Sequence, residues 1–139
     1  MTPPQGQDSR APRPRAVYRK RHRLTHSNEF KAVYETKLKK PVGPIVVFAL
    51  PNKLDHPRLG LSVGRRVGGA VTRNAVKRRL RDAFRRIAAK WPEKKAGLDL
   101  VIVVRPHETR SPASYQSMIE SAIDRLTKHI EKLSDEPET

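Results

Sequence analysis

Apolar and polar residues recur with two different periods along the chain, and the switches between them mark six elements. Phe30, Val33 and Tyr34, followed by Leu38, fall at helical spacing behind a Ser27-Asn28-Glu29 start, and Pro41 and Gly43 close that helix. Residues 44–50 form a short β-branched apolar run, which reads as a strand. Pro51-Asn52 and Asp55-His56-Pro57 then turn the chain. Residues 58–64 alternate, with Leu59, Leu61 and Val63 on one side and Arg58, Gly60, Ser62 and Gly64 on the other, as a half-buried strand does. Gly68-Gly69 breaks this period. A long helix follows over 70–90, with Thr72 as an alternative N-cap and Pro92 as its limit. Residues 98–104 are apolar at nearly every position, which predicts a central strand covered on both faces. Ser111-Pro112 supplies an N-cap and a first-turn proline for a last helix. That helix carries Tyr115, Met118, Ile119, Ala122, Ile123, Leu126, Ile130 and Leu133 on one stripe. Helix, strand, strand, helix, strand, helix is the order of an α+β or α/β sandwich.

The ends read differently. Pro3, Pro4, Pro12 and Pro14 interrupt a stretch with little to bury, so residues 1–22 read as a disordered basic arm. Such an arm either holds a phosphate backbone or is simply solvated. Residues 134–139 read as a frayed acidic tail, which leaves 23–133 as the folded domain.

Composition narrows the function. The absence of cysteine excludes disulfides, thiol nucleophiles and Cys-ligated zinc. No apolar run approaches the roughly 20 residues that span a bilayer, and the N-terminus carries no apolar signal core. The expectation is a soluble, cytoplasmic domain. Thirty Lys and Arg against fourteen Asp and Glu give a net charge of +16, which calls for a polyanionic partner. The charge is segregated: residues 58–90 hold eleven basic residues and one acid, Asp82, whereas 115–139 hold three against six.

Within the basic block, Val76, Leu80, Ala83, Phe84 and Ile87 recur every three or four residues and must face a core. Asn74, Arg78, Arg81 and Arg85 form a row on the opposite side, flanked by Arg73 and Lys77. Like charges so placed repel by roughly a few tenths of a kcal/mol per pair. A solvated face would mix acids with bases, so this one points to nucleic acid. The planar guanidinium fork also suits phosphate oxygens. Gly64, Gly68 and Gly69 allow close backbone approach before the helix N-terminus, and Arg65 and Arg66 stand beside them. Phe30 and Tyr34, at i and i+4, either pack in the core or offer rings on which single-stranded bases stack. His22, His26, His56, His107 and His129 show no metal-ligand spacing, and no nucleophile motif or phosphate-binding loop is present. The chain shows no catalytic residues of its own.

The run from Arg58-Leu59-Gly60-Leu61-Ser62-Val63 through Val67-Gly68-Gly69-Ala70-Val71 to Arg73-Asn74, Lys77-Arg78, Arg81 and Phe84 closely resembles the signature of the protein subunit of bacterial ribonuclease P. The resemblance extends from about residue 20, through Phe30 and Val33-Tyr34, to the last helix near 133. It implies an α+β fold, a two-layer αβββαβα sandwich with a left-handed βαβ crossover, an exception to the usual hand. That order contains one more strand than the periodicity shows, which would lie near 37–42. The resemblance further implies the accessory subunit of a ribonucleoprotein endonuclease that removes the 5′ leader from precursor tRNA. The catalytic site and the Mg2+ ions would belong to the partner RNA, with none evident on the protein. Arg65, Arg66, Arg73, Asn74, Lys77, Arg78, Arg81 and Arg85 would bind the catalytic RNA, and Phe30 and Tyr34 would line the cleft for the leader. No protein partner and no membrane are implied. Ala75 departs from the family's Arg-Asn-Arg pattern, and Gly69 stands where asparagine is common. Charge and size suit a structural, ribosomal-type RNA-binding protein equally well. A DNA-binding regulator fits less well, because the basic helix lacks a helix-turn-helix partner.

Overall fold

The structure, a computed structural model, describes residues 22–93 and 95–135, without the side chains of Ser134 and Asp135. The expected arm, apart from His22, and residues 136–139 of the expected tail lie outside the described residues. The elements in chain order are α1 (Ser27–Glu35), β1 (Lys39–Val42), β2 (Ile45–Pro51), β3 (Arg58–Val63), α2 (Ala70–Ala89), β4 (Leu98–Val104) and α3 (Pro112–Asp135). A single 3-10 turn, Arg65–Val67, precedes α2. This is the αβββαβα order that the resemblance implies, and β1 is the strand that periodicity missed.

The four strands lie in the order β1-β2-β4-β3. β1 pairs with β2 and β2 with β4 antiparallel, whereas β3 and β4 run parallel and are joined through α2. Register separates the two faces of the sheet. Ile45, Val47, Ala49, Leu59, Leu98, Leu100, Ile102 and Val104 point to one face and form a single core with α2 and α3. Val76, Leu80, Ala83, Phe84 and Ile87 of α2 are all buried in that core, as their spacing predicts. Tyr115, Ile119, Ala122 and Leu126 of α3 meet them there. Phe48, Leu50, Val101 and Val103 point to the other face, where Leu24, Phe30, Val33 and Tyr34 cover them. β4 is therefore buried from both sides, consistent with its continuous apolar run.

Several boundaries differ from the sequence expectation. α1 ends at Glu35, so Leu38 is outside it. The Thr36 hydroxyl lies 2.8 Å from the Val33 carbonyl oxygen and 2.9 Å from that of Ala49, and it accepts from the Leu38 amide at 3.1 Å. Lys37 takes φ 60°. A hydroxyl that serves the backbone and a left-handed residue stop the helix before Leu38, and Lys39 begins an edge strand that tolerates Pro41. The last residue of the expected arm also packs on the domain. His22 is buried, with ring contacts to His56 and Phe84, and the Leu24 amide donates to the Leu59 carbonyl at 2.9 Å. Finally, α3 runs to Asp135 rather than fraying from Ser134.

Candidate nucleic-acid interface

α2 is capped by Gly69 without a side-chain hydrogen bond, so Thr72 is not its N-cap. Ahead of it Gly68 takes φ 153°, a conformation open to glycine, and a Cβ there would lie 2.9 Å from Thr72. The Arg73 guanidinium donates through Nε to the Gly68 carbonyl at 3.1 Å and locks the turn onto the helix. Gly64 and Gly69 adopt extended backbone with open space where a Cβ would stand. The fold requires glycine at 68 and leaves 64 and 69 unconstrained.

The sequence row is assembled as expected on the outer side of α2. Asn74 and Arg78 are exposed, and Arg73, Lys77, Arg81 and Arg85 are half-buried. Arg65 and Arg66 are exposed on the preceding 3-10 turn. Arg78, Arg79, Arg81, Asp82, Arg85 and Pro112 line a depression of about 370 Å³. Four guanidinium groups around one concavity, with a single carboxylate, make a strongly anion-attracting surface. That carboxylate is not idle. Asp82 ion-pairs with Arg85 and with Arg86, the latter at 3.3 Å. The row is thus not uniform: Arg78 presents an exposed fork, while Arg85 is drawn back against the helix and its Nε is buried without a partner. Ala75 is half-buried on the helix between Asn74 and Val76 and offers no polar group.

Phe30 and Tyr34 lie across the sheet from this surface. Both are half-buried, so packing and presentation are not alternatives. The Tyr34 ring meets Phe48 edge-on, with centroids 5.0 Å apart and planes at 87°. Lys39 Nζ lies 5.7 Å from the Phe48 centroid. Phe30 sits directly on the backbone of Gly60, where a Cβ would fall 2.6 Å from Phe30 Cζ. Sequence reasoning missed Phe48 and Lys39 because a strand that is apolar on both faces hides which residue faces which helix. Residue pairing alone shows that Lys39 and Phe48 stand side by side.

A partly buried ionic network fixes α1 in place. Asp99 accepts from Arg58 Nε at 2.8 Å and Nη2 at 2.7 Å, and from Asn52 Nδ2 at 2.8 Å. The same guanidinium reaches Glu29 at 3.4 Å. Glu29 accepts from the Thr25 and His26 amides at 2.9 and 3.1 Å, capping α1. The bond from His26 holds the Glu29 carboxyl below its ordinary range, opposed by partial burial and helped by Thr25 and Arg58. The bond to Asp99 likewise raises the Arg58 pKa. In the Arg58-Leu59-Gly60 run, Arg58 therefore ties β3 to β4 and α1, Leu59 fills the core, and Gly60 makes room for Phe30.

Among the described residues no group of three His, Asp or Glu side chains could hold a metal ion, and no helix is long and apolar enough to cross a membrane.

The family model Ribonuclease P matches residues 18–130. The chain is 42% identical over 98 residues to the ribonuclease P protein component of Pseudomonas entomophila, covering 68% of this chain and 71% of that protein. It is 45% identical over 85 residues to the Pseudomonas putida counterpart, covering 60% of each, so it spans less than two thirds of that relative's length. Among solved structures, the ribonuclease P protein of Staphylococcus aureus shares 26% identity at a TM-score of 0.62, covering 74% of this chain and 93% of that one. The Thermotoga maritima ribonuclease P protein shares 27% at 0.59, covering 71% and 92%.

Proposed function

The chain belongs to the ribonuclease P protein family, and from that premise we propose that it serves the complex with two surfaces, one for the RNA subunit and one for the precursor-tRNA leader. Membership makes it a protein component of an endoribonuclease complex that acts with an RNA subunit in tRNA processing. The observation that carries the two-surface reading is the separation of the arginine row from the aromatic pair by the sheet. One side offers guanidinium groups to phosphates. The other offers the half-buried rings of Phe30 and Tyr34 beside Lys39. Phosphate recognition suits a folded RNA, and ring stacking suits a single strand.

Arg65, Arg66, Arg73, Asn74, Lys77, Arg78, Arg81 and Arg85 are the RNA-binding set in this reading. Arg78 and Arg81 dominate it, because Asp82 competes for Arg85 and the Gly68 carbonyl for Arg73. Neutralising phosphates releases condensed counterions, so binding weakens steeply with salt. The reading assigns the metal and the cutting site to the RNA. The chain's own task is to hold that RNA and the leader together, in the cytoplasm.

The test uses two variants of the full chain reconstituted with a ribonuclease P RNA and Mg2+. Arg78→Ala/Arg81→Ala is expected to flatten the log–log salt dependence of RNA binding by about 0.7–0.9 per lost phosphate contact. Tyr34→Ala is expected to weaken precursor binding by about 1–3 kcal/mol while leaving mature tRNA unaffected, since only the precursor carries a leader. Equal loss for both tRNAs would refute the leader surface. An unchanged salt slope in the arginine variant would refute the α2 surface.

A further inference from the structure

The loop of residues 105–111, between β4 and α3, belongs to neither surface as drawn so far, yet it is held in place with unusual thoroughness. Its first amide, that of Arg105, donates to the Pro44 carbonyl at 2.8 Å, which fastens the loop to the β1–β2 turn. Its middle is organised by Tyr115, a fully buried residue of α3. The Arg110 amide donates to the Tyr115 hydroxyl at 3.2 Å. The hydroxyl oxygen keeps a second lone pair, so the direction of its contact with His107 Nε2, 2.6 Å away, is set by the other ring nitrogen. The Arg105 carbonyl can only accept, so His107 Nδ1 carries the hydrogen and donates to it at 2.7 Å, which leaves Nε2 of the neutral ring to accept from the Tyr115 hydroxyl. Every bond in this relay has one consistent direction. A third tie comes from α2: Arg79 Nη1 donates to the Arg110 carbonyl at 2.9 Å.

The result of these ties is electrostatic. Arg79 lines the same depression as Arg78, Arg81 and Arg85, and its bond draws the loop against that basic face. Pro112, the first residue of α3, closes the depression on the loop side. The side chains of Arg105 and Arg110 are exposed, and the loop's acid is Glu108. Arg110 Nη1 lies 3.9 Å from where a Cβ of Gly43 would stand, so its guanidinium extends the basic surface from the α2 row toward the β1–β2 turn, a field that attracts an anion.

We propose that the 105–111 loop is a second RNA-contacting wall, in which Arg110 meets a backbone phosphate on the β1–β2 turn side of the α2 row and Arg79, Tyr115 and His107 act as positioning residues. This rests on the reading of α2 as the RNA-binding helix and extends it: the partner strand runs on past the helix face toward the β1–β2 turn. Tyr115 touches no RNA and acts only through the loop.

The test is the salt dependence of binding between full-length protein and a ribonuclease P RNA transcript, with Arg78→Ala as internal reference. Arg110→Ala is expected to lower the log–log slope by about 0.7–0.9, close to a threefold change in relative affinity across a fourfold range of salt. Arg110→Lys, which keeps the charge, is expected to restore the slope. Tyr115→Phe removes no charge and keeps the buried ring, yet is expected to lower the slope as Arg110→Ala does, because the loop loses its relay. A merely structural role for the hydroxyl would change thermal stability and leave the slope alone. If Arg78→Ala flattens the slope and Arg110→Ala does not, the loop wall is overturned while the α2 reading stands. If Arg110→Ala flattens it and Tyr115→Phe does not, the positioning role of Tyr115 is overturned. If neither arginine variant changes the slope, both readings fall.

Discussion

Gly60→Ala is the sharpest perturbation that the structure offers, because it adds one methyl group at the seat of one ring. An ideal Cβ at residue 60 lies 2.6 Å from Phe30 Cζ, 2.9 Å from Cε2 and 3.2 Å from Cε1. Carbon atoms rest comfortably at about 3.5–4.0 Å, so the ring must retreat by about 1 Å. Overpacking of this kind costs about 1–3 kcal/mol. Replacing glycine inside a strand returns about 0.5–1 kcal/mol of chain entropy, because residue 60 has no need of left-handed backbone. The single variant is thus expected to lose up to about 2.5 kcal/mol in urea unfolding, the difference of those two terms. In a Phe30→Ala background the clash is gone, and the same change is expected to stabilise by about 0.5–1 kcal/mol. The coupling energy from the four-protein cycle should therefore reach about 1–3 kcal/mol. Displacing Phe30 should also reduce the preference for precursor over mature tRNA. Additivity of the two substitutions within about 0.3–0.5 kcal/mol would refute the argument.

Three further outcomes are expected. Arg58→Leu leaves Asp99 buried without its cation and should cost up to about 3–5 kcal/mol in chemical denaturation, with the Arg58→Leu/Asp99→Leu pair recovering much of it; equal losses for single and double variants would contradict the clamp. The folded pKa of Glu29 lies below its ordinary value of 4.5, so its ionised form stabilises the fold fully above the unfolded pKa and loses that effect as pH falls through the folded one. The stability gap between wild type and Glu29→Gln should therefore be constant near neutrality and close in acid, and a gap independent of pH would count against the cap. At the α2 start, Gly69→Asn should add a few tenths of a kcal/mol, because residue 69 is an extended N-cap with open space. Gly68→Ala should instead cost about 1–3 kcal/mol, since residue 68 combines positive φ with a contact to Thr72; thermal melts that rank the two in the reverse order would reject this account.

What the sequence determined by itself was whatever depends on period and charge over a contiguous stretch. The 98–104 strand, the 70–89 helix and its buried stripe, and the one-sided arginine row follow from local spacing, because a helix or strand converts spacing into a face without help from the rest of the chain. The motif run over 58–85 fixed the family for the same reason: it lies within one strand, one turn and one helix. Tertiary structure alone decided which faces meet. It set Phe30 on Gly60 and Tyr34 against Phe48, thirty and fourteen positions apart, and put them across the sheet from the arginines. It ended α1 through a hydroxyl that reaches Ala49. It also brought Arg79 to the Arg110 carbonyl across thirty-one positions. Contacts of that separation depend on how the crossover and the sheet pack, and no pattern within a helical turn or a strand repeat encodes them.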